Sequence, residues 1–349
     1  MKFFAVIGNP PYNESQGIGE QKNFAKPVYH TFIDAAYQVS DKVELIHPAR
    51  FLYNAGATPK EWNSKMLDDP HLKLLMYESD SRLLFGPNVT ISGGVVVSYH
   101  DTNKSFGAIK VFTPFTELNH IVSKVINTVG YHSLEDIIYI QTRLNLEGLY
   151  EDYPESKMRI GSNGKDNRLE RNIFEKLSCF TEQKAEATDI KILGMCERKR
   201  AWKYIQRKYI DLSHDNLFKW KVIVSTSNGG AGNLGNEAVM ICGEPFISGP
   251  NEGYTRTFLG IGAFPNRKDA ENCAMYIKTK FCRCMLGVLK ATQLMNKEVW
   301  HMIPLQDFTS SSDIDWSVPI PAIDQQLYKK YGLSQEEIDF IETHVKEMT

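Results

Sequence analysis

Asn9-Pro10-Pro11-Tyr12 places an amide, a backbone stretch without N–H donors and an aromatic ring in four consecutive residues, directly after the apolar run Phe3-Phe4-Ala5-Val6-Ile7-Gly8. An exocyclic or amide NH₂ is a poor nucleophile because its lone pair is delocalised. It gains reactivity when acceptors hold its two protons and the lone pair turns toward a methyl donor. The Asn9 side-chain oxygen and the Pro10 carbonyl are two such acceptors. Pro11 fixes φ and stiffens the turn, and Tyr12 offers a face on which a planar base taken out of a duplex can stack. The same four residues also suit a plain strand-ending turn, so their surroundings must decide.

Those surroundings read as α/β. Phe3 to Gly8 has the pattern of a strand buried on both faces of a parallel sheet, and ligands of such sheets bind at the carboxyl edge, where Asn9 falls. Tyr29 to Val39 reads as a helix, Lys42 to His47 as a second strand, and Val95 to Tyr99, behind Gly93-Gly94, as a third. Asn266, with Asp269 three residues on, opens a single long helix carrying apolar residues to Val288. Ser334-Gln335-Glu336-Glu337 is a capping box opening a closing helix from Gln335 to about Val345.

Further chemistry is sparse. The six cysteines include no C-x-x-C, and the histidines lack metal-ligand spacing, so no metal site is expected. Arg198 to Tyr209 carries six cations, with Trp202, Ile205 and Tyr209 at helical spacing. In a chain of net charge −2 this concentration suits a phosphate-contacting helix face, with Arg198, Arg200, Lys203 and Arg207 as the contacts and Lys278, Lys280 and Arg283 adding to them. A solvated helix face would look the same. Asp189 with Glu197 and Lys199 is too closely spaced to argue for a nuclease.

Strand plus N-P-P-Y resembles motif IV of the S-adenosylmethionine-dependent amino-methyltransferases. Val43-Glu44-Leu45-Ile46-His47-Pro48-Ala49-Arg50-Phe51-Leu52 looks like their next strand-then-proline segment. Arg82 to Val89 followed by Gly93-Gly94-Val95 resembles the segment supplying a second aromatic against the base, which implies Phe85. Thr255 to Phe264, Tyr276 to Arg283, Pro304 to Phe308, Ser312 to Trp316 and Gln326 to Leu333 resemble the target-recognition half of N6-adenine DNA methyltransferases of type II restriction-modification systems. The resemblance implies S-adenosylmethionine as cofactor and double-stranded DNA as partner; the interruption of the first apolar run by Asn9-Pro10-Pro11, before a signal-peptide core could form, reads as a cytoplasmic location.

The sequence departs from that family in lacking the Gly-rich cofactor loop upstream of N-P-P-Y. Gly230-Ala231-Gly232-Asn233-Leu234-Gly235, leading into an expected strand at Glu237–Cys242, and Phe258-Leu259-Gly260-Ile261-Gly262 are two weak downstream candidates for it. The expectation is a partial Rossmann-like sheet over 1–112, a mixed α+β target-recognition domain over 113–320 and C-terminal helices over 321–349. The chain reads as a truncated or split adenine methyltransferase, with a separate N-terminal half or a restriction subunit as further partners. Competing readings are a non-catalytic DNA-recognition subunit and an N-P-P-Y methyltransferase acting on protein glutamine or RNA. The 349 residues, 42% hydrophobic with 40 basic against 42 acidic side chains, exclude a wholly basic nucleic-acid coat protein. No apolar run approaches the roughly 20 residues of a membrane helix.

Overall fold

A computed structural model describes residues 2–16, 24–53, 58–91, 93–160, 164, 166–227, 232–235, 237–290 and 294–348. It divides into two compact units, residues 1–123 and 124–349.

The first unit is built on a four-stranded sheet. Its strands are β1 (Val6–Gly8), β4 (Lys42–Pro48), β5 (Leu72–Glu78) and β6 (Val95–Asp101), and their order is β1-β4-β6-β5. β1 runs parallel to β4, whereas β6 is antiparallel to both β4 and β5, so only β6 opposes the other three. A hairpin, β2 (Asn13–Gln16) with β3 (Phe24–Pro27), follows β1. Helices α1 (Tyr29–Val39), α2 (Lys60–Asp68) and the single turn α3 (Arg82–Phe85) connect the strands. α1 occupies the expected residues, and buries Tyr29, Ile33 and Ala36, spaced four and three apart so that one face meets the sheet. β4 alternates, with Val43, Leu45 and His47 buried.

The expectation for the first strand is overturned. β1 is an edge strand of three residues, and Phe3, Phe4 and Ile7 are 55%, 86% and 77% exposed. Among the described residues β1 pairs with β4 alone, and the run's other pairing is the single bridge of Phe3 to Ser40, so an apolar sequence here does not mean a strand covered on both faces.

The division between the units falls within α4 (Thr116–Ile126). The second unit contains strand β7 (Ile138–Tyr139), short helices α5 (Leu146–Asp152), α6 (Ser156–Arg159) and α7 (Ile173–Lys176), and two sheets. One has the order β11-β10-β13-β7, from β10 (Trp220–Ser225), β11 (Phe246–Ser248) and β13 (Phe258–Phe264). The other has the order β12-β8-β9, from β8 (Ile190–Cys196), β9 (Lys199–Ile205) and β12 (Glu252–Tyr254). Helices α8 (Arg267–Lys278), α9 (Lys280–Leu289), α10 (Ile320–Lys330) and α11 (Gln335–His344) close the chain. The Asn266 side chain caps α8 by accepting from the Asp269 N–H at 2.9 Å, and Ser334 with Glu337 forms the full capping box on α11, both as expected.

Three expectations for this unit are corrected. The basic stretch is a turn, a strand and one 3₁₀ turn at Arg207–Tyr209, not a single helix: β9 pairs with β8 throughout, from Ile190↔Ile205 to Cys196↔Lys199. The long helix from Asn266 is two helices. Thr279 separates them and caps α9 by accepting from the Cys282 N–H, while the buried Asp324 carboxylate accepts from the N–H groups of Lys280 and Phe281 at 3.0 and 2.9 Å. Of the strand expected at Glu237–Cys242, one bridge remains, Val239 to Val345.

Candidate functional site

Asn9 follows the last paired residue of β1, Gly8, which lies opposite Leu45. It therefore sits at the carboxyl end of a strand whose parallel neighbour, β4, ends in the same direction at Pro48. Asn9 and Pro11 are exposed, and Pro10 and Tyr12 are half-buried. The Val28 N–H donates to the Tyr12 carbonyl at 3.0 Å, fastening the motif to the start of α1. Burial pushes the Tyr12 hydroxyl above its usual pKa, with the Asn9 amide beside it pulling partly back. The hydroxyl itself completes no hydrogen bond among the described residues.

Phe85 reaches the same place from the other side of the sequence. It ends α3, just after β5, and its ring meets Tyr12 edge to face with centroids 6.4 Å apart. The segment carrying it is stapled by Ser81, whose hydroxyl donates to the Val89 carbonyl and accepts from the Ile91 N–H at 2.9 and 2.8 Å. Beneath α1, Tyr29 stacks on His47 at 5.6 Å. His47 is fully buried and bonded to the Ser98 hydroxyl, and burial pushes its pKa down to about 4, so it is neutral packing rather than a proton carrier.

Two acceptors at an exposed strand end and two aromatic rings in contact form an arrangement that can hold a flat, NH₂-bearing ring: acceptors on its amine, aromatic faces on its plane.

Residues 1–85 match the model of the Eco57I restriction-modification methylase family. A Mycoplasma pneumoniae protein described as an "uncharacterized adenine-specific methylase" is 32% identical over 96 residues, which are 27% of this chain and 22% of that protein. The chain thus spans about a fifth of the length of the curated relative it matches. The resemblance read from N-P-P-Y, to adenine methyltransferases of the restriction-modification type, is borne out by both matches.

The expected DNA-contacting residues are dispersed within the second unit. Glu197 and Arg198 form the two-residue turn between β8 and β9, both with positive φ (47° and 64°). Arg200 is exposed and lies over the Phe246 and Phe258 rings. Lys203, on alternating strand parity from Arg200, pairs with Glu182 at 2.9 Å, and the Arg207 guanidinium lies over the Phe218 ring at 4.6 Å. Lys278 pairs with Glu244 at 2.8 Å and Lys280 with Glu342 at 2.6 Å. Arg283 is fully buried and donates to the carbonyls of Lys278 and Met240, so it cannot meet a phosphate.

Of the two sequence candidates for an S-adenosylmethionine loop, the one at Phe258–Gly262 does not fit such a cradle. Gly260 and Gly262 stand inside antiparallel β13, where a side chain on Gly260 would run into the Tyr254 hydroxyl. The other candidate, Gly230–Gly235, lies partly outside the described residues. Among the described residues no cluster of His, Cys, Asp and Glu could hold a metal ion, and no helix is long and apolar enough to cross a membrane.

Proposed function

We propose that this chain carries the base-holding and target-recognition parts of a site-specific DNA (adenine-N6) methyltransferase of a restriction-modification system. The observation that carries the reading is N-P-P-Y at the carboxyl end of β1 with the Tyr12 and Phe85 rings in contact. In this reading a flipped adenine lies on the Tyr12 face, and Phe85 turns to cover its other side. Asn9 Oδ1 and the Pro10 carbonyl accept the two N6 protons, so the nitrogen lone pair points out of the base plane. The methyl group comes from S-adenosylmethionine, held by residues other than those described, such as a separate N-terminal half. The first unit is then the C-terminal half of a Rossmann-like methyltransferase sheet, the second unit is the target-recognition part, and the protein is cytoplasmic.

The test uses a duplex with 2-aminopurine at candidate positions, since this base brightens when unstacked. At saturating concentration the full chain should raise its fluorescence, and Tyr12→Ala should lose most of the rise at saturation while its duplex affinity falls by no more than about 5- to 150-fold, because base stacking on one ring is worth about 1–3 kcal/mol and phosphates supply the rest of the affinity. In an assembly that methylates DNA, Asn9→Ala should lower kcat about 10²–10³-fold, the effect of deleting one group that stabilises developing charge. Bright, unchanged fluorescence with Tyr12→Ala would remove the motif from base holding.

A further inference from the structure

The second unit contains a cleft of about 770 Å³. Its floor is Phe258 and Leu259 of β13. One wall is the segment carrying Arg168, Arg171 and Asn172, fixed to the floor strand because the Arg256 N–H donates to the Leu169 carbonyl at 2.8 Å. A further part of the lining carries Asn296 and Lys297, anchored through the Met295 N–H to the Thr226 carbonyl at 2.8 Å. Arg256 also lines the cleft. Four cations thus face two carboxylates, Glu170 and Glu298, in a chain whose net charge is −2.

These cations are little committed. Arg168, Arg171 and Lys297 pair with no carboxylate among the described residues, and Arg256 holds Glu170 only at 3.3–3.4 Å with more than half of its side chain exposed. Cations drawn from three separate chain segments suit an extended polyanion better than a single compact anion, and Asn172 and Asn296 add the paired donor and acceptor that reads a base edge. Arg200 extends the positive surface, since its guanidinium lies 5.8 Å from the Phe258 ring that forms the floor.

We infer that this cleft is where the second unit grips duplex DNA, with Arg168, Arg171, Arg256 and Lys297 on the phosphates. The inference rests on the proposed methyltransferase reading, and assigns the grip to this cleft rather than to the β8–β9 hairpin.

The experiment is a fluorescence-anisotropy titration of the full chain with a labelled duplex oligonucleotide across a salt series. The parent is compared with a cleft variant (Arg168→Gln, Arg171→Gln, Arg256→Gln) and a hairpin variant (Arg200→Gln, Lys203→Gln, Arg207→Gln), with circular dichroism confirming that each is folded. The cleft variant should bind about tenfold or more weakly, with a slope of log K on log salt shallower by about two to three. The hairpin variant should change the slope by at most about one. Lys297→Gln alone, the smallest perturbation, should reduce it by about one and serves if the triple variant does not fold. A parent that binds while the cleft variants keep its affinity and slope overturns the cleft and leaves the methyltransferase reading standing. A parent that does not bind duplex DNA at low salt overturns both, and tighter binding of a single-stranded RNA of equal length would overturn the assignment to duplex DNA.

Discussion

Lys221 gives the second unit a measurable pH dependence. It lies on β10, is fully buried, and donates from Nζ to the carbonyls of Gly249 and Glu252 at 2.8 and 2.9 Å. Two carbonyls are what a neutral amine, with two N–H groups, satisfies. The Glu252 carboxylate is already engaged by the Ser248 hydroxyl and the Gly249 N–H, and pairs with Lys191 at 3.6 Å. Burial pushes the Lys221 pKa from 10.5 down to about 7, with the charge of Glu252 opposing. Between about pH 7 and 10.5 the unfolded chain therefore holds a proton that the folded chain lacks, so stability rises with pH by about 1.4 kcal/mol per unit from this group. Below about pH 7 both states are protonated and the full cost of the buried charge is felt. Urea unfolding of the parent and of Lys221→Met, followed by tryptophan fluorescence at pH 7 and 9, isolates the effect. Losing the two carbonyl bonds shifts the variant by a constant, but the gap between the two proteins should change by about 2–3 kcal/mol over those two units, in favour of the parent at pH 9. Parallel stability profiles would refute a neutral buried amine.

Arg283→Met should cost about 2–4 kcal/mol in thermal unfolding, because two partly buried carbonyls lose charged donors, while leaving the salt dependence of DNA binding unchanged; a change in that slope would return Arg283 to the DNA surface. Replacing Glu197-Arg198 by Asn-Gly should stabilise the chain by about 1 kcal/mol in urea melts, since both positions have positive φ and the turn joins paired strands directly; loss of stability would mean that the two side chains contribute more than the backbone conformation costs.

Local signals in the sequence carried a good part of this architecture. N-P-P-Y could be placed at a strand end from its own residues, and the α8 and α11 caps could be read because a capping side chain and its N–H are three positions apart. The mistaken helix at Arg198–Tyr209 shows where such signals stop. Trp202, Ile205 and Tyr209 do recur at helical spacing, but pairing with β8 overrides that period. The break at Thr279 depends on Asp324, whose carboxylate accepts from the first N–H groups of α9, the nearer of them 43 positions away at Phe281. The basic cleft was invisible for the same reason: its walls come from residues near 170, 256 and 297, and no window of sequence contains them together. Phe85 was reached only through resemblance, and its contact with Tyr12 joins positions 73 apart in the chain.

The shortness of β1 has a consequence for how accurately the site can be set. Three register pairs align the strand, so a slip of one residue would carry Asn9 about 3.3 Å along the sheet and turn its side chain to the opposite face. A second fix lies upstream, where Phe3 bridges Ser40 and its N–H donates to the Val39 carbonyl at 2.8 Å. With the Val28 bond to Tyr12 downstream, the motif is gauged at both ends by the two termini of α1. That helix works as a ruler: its eleven residues set the span between the two anchor points, and lengthening or shortening it by one residue would move the acceptors of Asn9 and Pro10 without touching either of them.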